Sequence, residues 1–167
     1  MEVTYRSAQP QDVEQLYELI YALADYEKMT DQVELSPSHL TEHLFCESPS
    51  VYALVAEFET KLVGFALYFK NFSTFLGRPG FYLEDLYVLP SFRGQGIGTR
   101  LLQSIAKQAV EQNYGRVEWS VLDWNEPSIQ FYRSLGAIPM EEWIVYRLTG
   151  EALTNFANKS ISEEKLD

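Results

Sequence analysis

The chain has 167 residues, 46% hydrophobic and 14% aromatic, which suits one globular domain with a real core and excludes a disordered chain. A net charge of −11, from 13 basic and 24 acidic residues, argues against a nucleic-acid partner and suits a small cationic one, or serves solubility alone. The single cysteine, Cys46, excludes an intrachain disulfide and a cysteine-built metal cluster.

The opening residues "MEVTYRSAQPQDVEQ" carry no apolar h-region, and no stretch approaches membrane-spanning length. The expectation is a cytoplasmic protein with no membrane partner. "VTYRSA", residues 3–8, reads as a short strand. Pro10 suits a first helical turn. From Val13, the apolar positions Leu16, Tyr17, Ile20, Leu23 and Ala24 recur at helical spacing. "SPSHLTEHLF", residues 36–45, predicts a second short helix with Ser36 as N-cap and Pro37 at N1. His39 and His43 stand at i, i+4 on it, a spacing that can hold a metal. No HExxH pattern surrounds them, so they read as ordinary helix-surface residues and no metal is expected.

Two β-rich runs follow, "VYALVAEF" (51–58) and "KLVGFALYF" (61–69). Glu59 and Thr60 between them suggest a hairpin without the preferred turn chemistry. "KNFSTFLGRPG", residues 70–80, reads as a loop. "FYLEDLYV", residues 81–88, predicts a strand with two adjacent acids. A glycine stretch follows. After it, Ile97, Leu101, Leu102, Ile105, Ala106, Ala109 and Val110 form one long apolar helix face. "RVEWSVL" (116–122) predicts a strand and "NEPSIQFYRSLGA" (125–137) a helix capped by Gly136. "EEWIVYRL" (141–148) predicts a last strand. The order βααβββαβαβ describes one mixed α/β domain over residues 1–150. Residues 151–167 form a tail, partly helical or frayed.

The stretch "RGQGIG", residues 93–98, sits between strand and helix. It lacks the lysine of a Walker A loop and fails the GxGxxG spacing. Glycines let successive N–H groups turn toward one point without Cβ obstruction. The helix starting near Gly96 adds free amide donors and a positive dipole end. Arg93 can add a charged fork. An anion, and a pyrophosphate in particular, is the natural guest. The competing reading is a turn that only tightens strand-to-helix packing.

Here the chain resembles the GCN5-related N-acetyltransferase family, whose signature is Arg/Gln-x-x-Gly-x-Gly/Ala. "YLEDLYV", "RGQGIG", "VLDWNEPSIQFY" and "LADYEKM" resemble its spermidine/spermine and thialysine acetyltransferase branch. The resemblance implies an α/β fold with a mixed, mostly antiparallel sheet, helices on both faces and splayed central strands. It implies acetyl-CoA as co-substrate. The pantetheine would pair with the backbone of Leu86, Tyr87 and Val88. The pyrophosphate would lie on Arg93, Gly94, Gln95, Gly96, Ile97, Gly98 and Thr99.

On a helical wheel of 100° per residue, Asn125, Ser128 and Tyr132 share one face. That polar trio needs partners, whether a ligand or a neighbouring strand. The resemblance implies that Asn125 and Ser128 touch the cofactor and that Tyr132 protonates the departing thiolate. Glu84 and Asp85 would alternate to opposite faces unless a bulge breaks the strand, as this family often has. A carboxylate can take the proton of an ammonium substrate. Glu84 is favoured as that base, with Asp85 as helper at the substrate. By the same resemblance Tyr26, Glu27, Trp119 and Glu142 would contact the acceptor amine.

Phe75 and Arg78 depart from the polyamine enzymes, and "VLDWNE" leans toward the thialysine side. The implied reaction is direct attack of a primary amine of a diamine, polyamine or lysine-like amino acid on acetyl-CoA. A protein N-acetyltransferase and a non-catalytic acyl-CoA sensor are the competing functions. A homodimer with the site near the interface is also implied.

Overall fold

The computed structural model describes residues 2–159. The elements run β1 (Val3–Ser7), α1 (Val13–Tyr26), α2 (Pro37–Leu44), β2 (Tyr52–Phe58), β3 (Lys61–Ser73), β4 (Arg78–Val88), α3 (Ile97–Glu111), β5 (Val117–Trp119), α4 (Glu126–Ser134) and α5 (Gly150–Ala157). The chain divides into two compact units, Met1–Ser120 and a second that begins at Val121.

The first unit holds the whole sheet, in the order β1-β2-β3-β4-β5. β1 to β4 pair antiparallel, and β5 joins β4 in parallel. Alternation along β3 feeds two faces. Phe65 and Leu67 join Leu16, Leu19 and Leu23 of α1 and Leu40 of α2 in one core cluster. α3 packs on β2, β3, β4 and β5, and the hydroxyl of Tyr68 donates to Gln108 Oε1 of α3 at 2.9 Å. Leu101 and Ile105 of α3 are fully buried. This is the α/β sheet, covered on both faces, that the pattern predicts.

Arg6 ties the start of α1 to the sheet. Its guanidinium forks onto Asp12 at 2.6 and 2.9 Å and also reaches Glu57 of β2. Asp12 is buried, and the Arg6 hydrogen bonds hold its carboxyl below the usual carboxylate range.

Two expectations fail. Residues 70–80 are not a loop: β3 runs to Ser73 and β4 starts at Arg78. Their Gly and Pro mislead because Gly80 serves a close approach inside the hairpin. A Cβ there would lie 2.7 Å from the Arg116 carbonyl oxygen and 2.8 Å from Asn71 Oδ1. The turn itself is four residues, closed by Gly77 at φ 63°.

The strand expected at 141–148 is also absent among the described residues; the segment has no regular secondary structure. Among the described residues the second unit contains α4 and α5 and no strand. Trp143, Ile144, Val145 and Tyr146 are left 74% to 91% exposed. α5 starts at Gly150, one residue before the expected tail.

Candidate active site

The first unit builds its site around β4. On one side β4 pairs with β3 from Arg78↔Ser73 to Val88↔Gly64. On the other it meets β5 at only three pairs, ending at Leu83↔Trp119. Beyond Leu83, the edge of β4 facing β5 has no strand partner among the described residues. That leaves the stretch with Leu86, Tyr87 and Val88 a free backbone edge, able to take an extended ligand as a strand would. Tyr87 turns its ring into the core, where it is 7% exposed.

A bulge marks the point of divergence. β3 pairs Leu67 with Asp85 and the next residue, Tyr68, with Leu83, so Glu84 is the extra residue. The bulge frees Glu84 and Asp85 from simple alternation, the exception anticipated for two adjacent acids. Their surroundings differ. Glu84 is exposed and Asp85 half-buried. Burial, reinforced by the charges of Glu84 and Glu27, pushes the Asp85 carboxyl up to about 7. Burial also raises Glu27, at the C-terminal end of α1.

Asp85 opens on a cavity of about 350 Å³. Its other lining includes Ile20, Leu35, Leu40 and Leu67, and both histidines of α2. A small aliphatic hollow with one carboxylate is a typical small-molecule site, which occupies roughly 300–1,000 Å³. The sequence pattern puts His39 and His43 on the helix surface. They are exposed there, yet they also edge this cavity. Their i, i+4 spacing was the available signal, since it brings two side chains to one helix face.

The glycine stretch forms a short 3-10 turn, Pro90–Phe92, then the loop, then α3. Gly94 (φ 73°) and Gly96 (φ 77°) both occupy the left-handed region. Added Cβ atoms at either would meet nothing within 4 Å. Backbone conformation, and not packing, therefore demands these two glycines. Gly98 has no such φ, and a Cβ there would make only an ordinary contact with Val88. Gly96 is the N-cap of α3 and no side chain caps it; no acid sits in the first turn. The donors of Ile97, Gly98 and Thr99 thus open the helix toward an anion.

Arg93 does something the sequence did not suggest. Its Nε donates to the Val88 carbonyl oxygen at 2.9 Å. Its guanidinium lies over Tyr26 at 5.0 Å and over Tyr87 at 5.3 Å. The fork holds the loop to β4 and to the end of α1, and so brings Tyr26 to the loop. Gln95 is exposed and reaches back to the Ser91 carbonyl oxygen at 3.5 Å.

In the second unit, Asn125 is buried at the N-cap of α4, where its side chain accepts from the Ser128 N–H at 3.4 Å. The polar trio is thus partly self-satisfied. Ser128 and Tyr132 are half-buried on the same helix, and the Tyr132 ring packs 5.3 Å from Phe131. Glu142 is exposed in the irregular segment. Among the described residues no group of three or more His, Cys, Asp or Glu is placed to hold a metal ion.

The family model for the Acetyltransferase (GNAT) family matches residues 13–137. The chain belongs to the GNAT family. A thialysine N-epsilon-acetyltransferase of Bos taurus is 38% identical over 94% of this chain and 98% of its own length. An L-ornithine N5-acetyltransferase of Arabidopsis thaliana is 48% identical over 55% of this chain and 40% of its own length. Among solved structures, an integron cassette protein from the mobile metagenome of V. cholerae superposes with a TM-score of 0.80. It is 29% identical, with 95% of this chain and 99% of that one covered. This GNAT protein is an N-acetyltransferase, and the open edge of β4 is the splay its resemblance implied.

Asp85 is the acid most altered by this architecture. Its folded value of about 7 lies above its ordinary 3.8. The folded state therefore binds the proton more tightly, and stability falls as pH rises from about 4 to about 7. Asp85→Asn removes that loss. Thermal melts should show the variant gaining on the wild type across this window, by at most about 4 kcal/mol, with a constant gap at higher pH. A variant that loses stability at pH 8 contradicts the burial argument.

Proposed function

We propose that this enzyme transfers the acetyl group of acetyl-CoA to the primary amine of a small cationic acceptor, a diamine or a lysine-like amino acid, by direct attack. The observation that carries the reading is the aliphatic cavity with Asp85 at the β4 bulge. Its size favours a free amine over a folded protein surface. The named activities of the thialysine and ornithine relatives support the same class. A net charge of −11 favours the approach of a cation.

The residues fit the coenzyme. Two left-handed glycines and an uncapped helix start suit its pyrophosphate, and the free edge of β4 suits its pantetheine arm. Arg93 acts here as the clamp that fixes the loop, with the loop amides from Gly94 to Thr99 as the donors. When bound, acetyl-CoA supplies the activated acetyl thioester. N–H groups on the open edge near Leu86 would face its carbonyl oxygen and stabilise charge developing there.

An acceptor amine arrives protonated. Asp85, poised near neutrality at the cavity, is the first acceptor of that proton, and exposed Glu84 beside it relays the proton to water. Burial thus favours Asp85 as the base and Glu84 as the helper, where the sequence favours the opposite. Tyr132 returns a proton to the sulfur, and Asn125 shapes the start of the helix that carries it. In the first unit Tyr26, Glu27 and Trp119 complete the acceptor set; for Glu142 and Ser128 of the second unit the resemblance supports contact with the acceptor and the cofactor respectively. Orientation of the two reactants supplies much of the acceleration. A homodimer fits the exposed run from Trp143 to Tyr146, which covers apolar surface once paired with a second copy. A cytoplasmic location accords with a metabolic acetyl donor.

Thiol release from acetyl-CoA, measured against diamines, lysine, thialysine, ornithine and peptides, tests the class. Free amines should react and peptides should not. Tyr132→Phe should lower kcat by about 10²-fold or more, with KM for acetyl-CoA little changed. Reaction with peptides alone would make the enzyme a protein acetyltransferase; binding without release would make it a sensor. Unchanged turnover removes Tyr132 from the mechanism. Sedimentation velocity should give the mass of two chains, and Val145→Glu should shift it to one. A wild type that stays monomeric at high concentration contradicts the dimer.

A further inference from the structure

The acceptor cavity is chemically lopsided. Asp85 is its one acid. Its walls, with Leu35, Leu40 and Leu67 among them, are aliphatic. Leu40 and Leu67 are buried at 3% and 7% exposure, whereas His39 and His43 are exposed. The histidines therefore stand at the mouth, and the leucines lie deeper. No lysine or arginine lines the cavity.

The hydrogen placement on His39 is set by its neighbour. Ser36 donates its backbone N–H to His39 Nδ1 at 3.2 Å, within a capping box that starts α2. A nitrogen that accepts cannot also carry the ring hydrogen, so the hydrogen sits on Nε2. Nε2–H is left as the ring's donor. His43, one turn on, lies on the same helix face and joins it at the cavity. An imidazole donor on His39 with a second imidazole beside it, Ser50 also in the lining, leucines along the wall and a carboxylate at the bulge describe a ligand with an anion at one end, methylenes between and an amine at the other. An ω-amino acid side chain with its α-carboxylate has that form. A diamine does not, since its second ammonium would face the His39 donor.

We propose that His39 and His43 bind the α-carboxylate of an amino-acid acceptor whose side-chain amine lies at Asp85, and so select lysine-type acceptors over diamines of equal chain length. The assignment rests on the acetyl transfer to a small free amine proposed above, and it narrows that class. His39 and His43 are specificity residues here and take no part in moving protons.

The test compares pairs that differ only in the carboxylate: lysine with cadaverine, and ornithine with putrescine. kcat/KM is measured by thiol release for the wild type, His43→Leu and His39→Gln. The wild type should favour the amino acid in each pair. Loss of one hydrogen bond to a charged group should lower the amino-acid-to-diamine ratio by about tenfold or more, chiefly through KM for the amino acid. The ratio within one preparation cancels any loss of folded enzyme, and the wild-type preference needs no variant at all. A wild type that prefers cadaverine, or ratios unchanged in both variants, overturns the assignment while leaving small-amine acetylation intact. A wild type that releases thiol with none of the four amines overturns both.

Discussion

The site depends on one asymmetry of strand pairing. β4 is fully bonded to β3 but bonded to β5 over only Phe81, Tyr82 and Leu83. Backbone amides seek partners, so a strand in mid-sheet with a free edge is a ready receptor for an extended ligand. The bulge at Glu84 falls where the two strands part. It turns Asp85 into the cavity on the α1–α2 side at the same level at which the open edge begins. On the proposed reading, cofactor edge and acceptor pocket share one short length of strand.

Rigidity around that strand has identifiable sources. Arg93 bonds to Val88 and is held between two tyrosine rings, one from the end of α1 and one from β4 itself. The loop that would carry a pyrophosphate is thereby tied to the strand that would carry the rest of the coenzyme. The guanidinium thus has a bond to the strand and two ring contacts of its own. It fixes the geometry in which amides can meet a phosphate, and the left-handed Gly94 and Gly96 supply the backbone path.

Much of this was legible in the residues. The apolar periods of α1 and α3 and the alternating runs of β2 to β4 mark elements whose burial the sheet bears out. The RGQGIG stretch announced itself because few other contexts need alternating glycines before a helix. What escaped was set by tertiary contact. Gly80 reads as a breaker until the Arg116 carbonyl is seen beside it. The partners of Arg93 lie on elements distant in sequence. Asp85 and Glu84 are chemically alike, and only burial separates them. The run at 141–148 has strand composition, but among the described residues it takes up no regular secondary structure. His39 and His43 look like surface residues because they are; their bearing on the cavity comes from where α2 docks.

The most direct test of the central claim is amide hydrogen exchange with and without acetyl-CoA. The account places the coenzyme on the open edge of β4 and on the loop that begins α3. Saturating acetyl-CoA should slow exchange at residues 85–88 and 94–99 and leave β1 and the β1-facing edge of β2 unchanged. Protection confined to other segments, or none at any concentration, would show that the free edge and the glycine loop are not where the coenzyme binds.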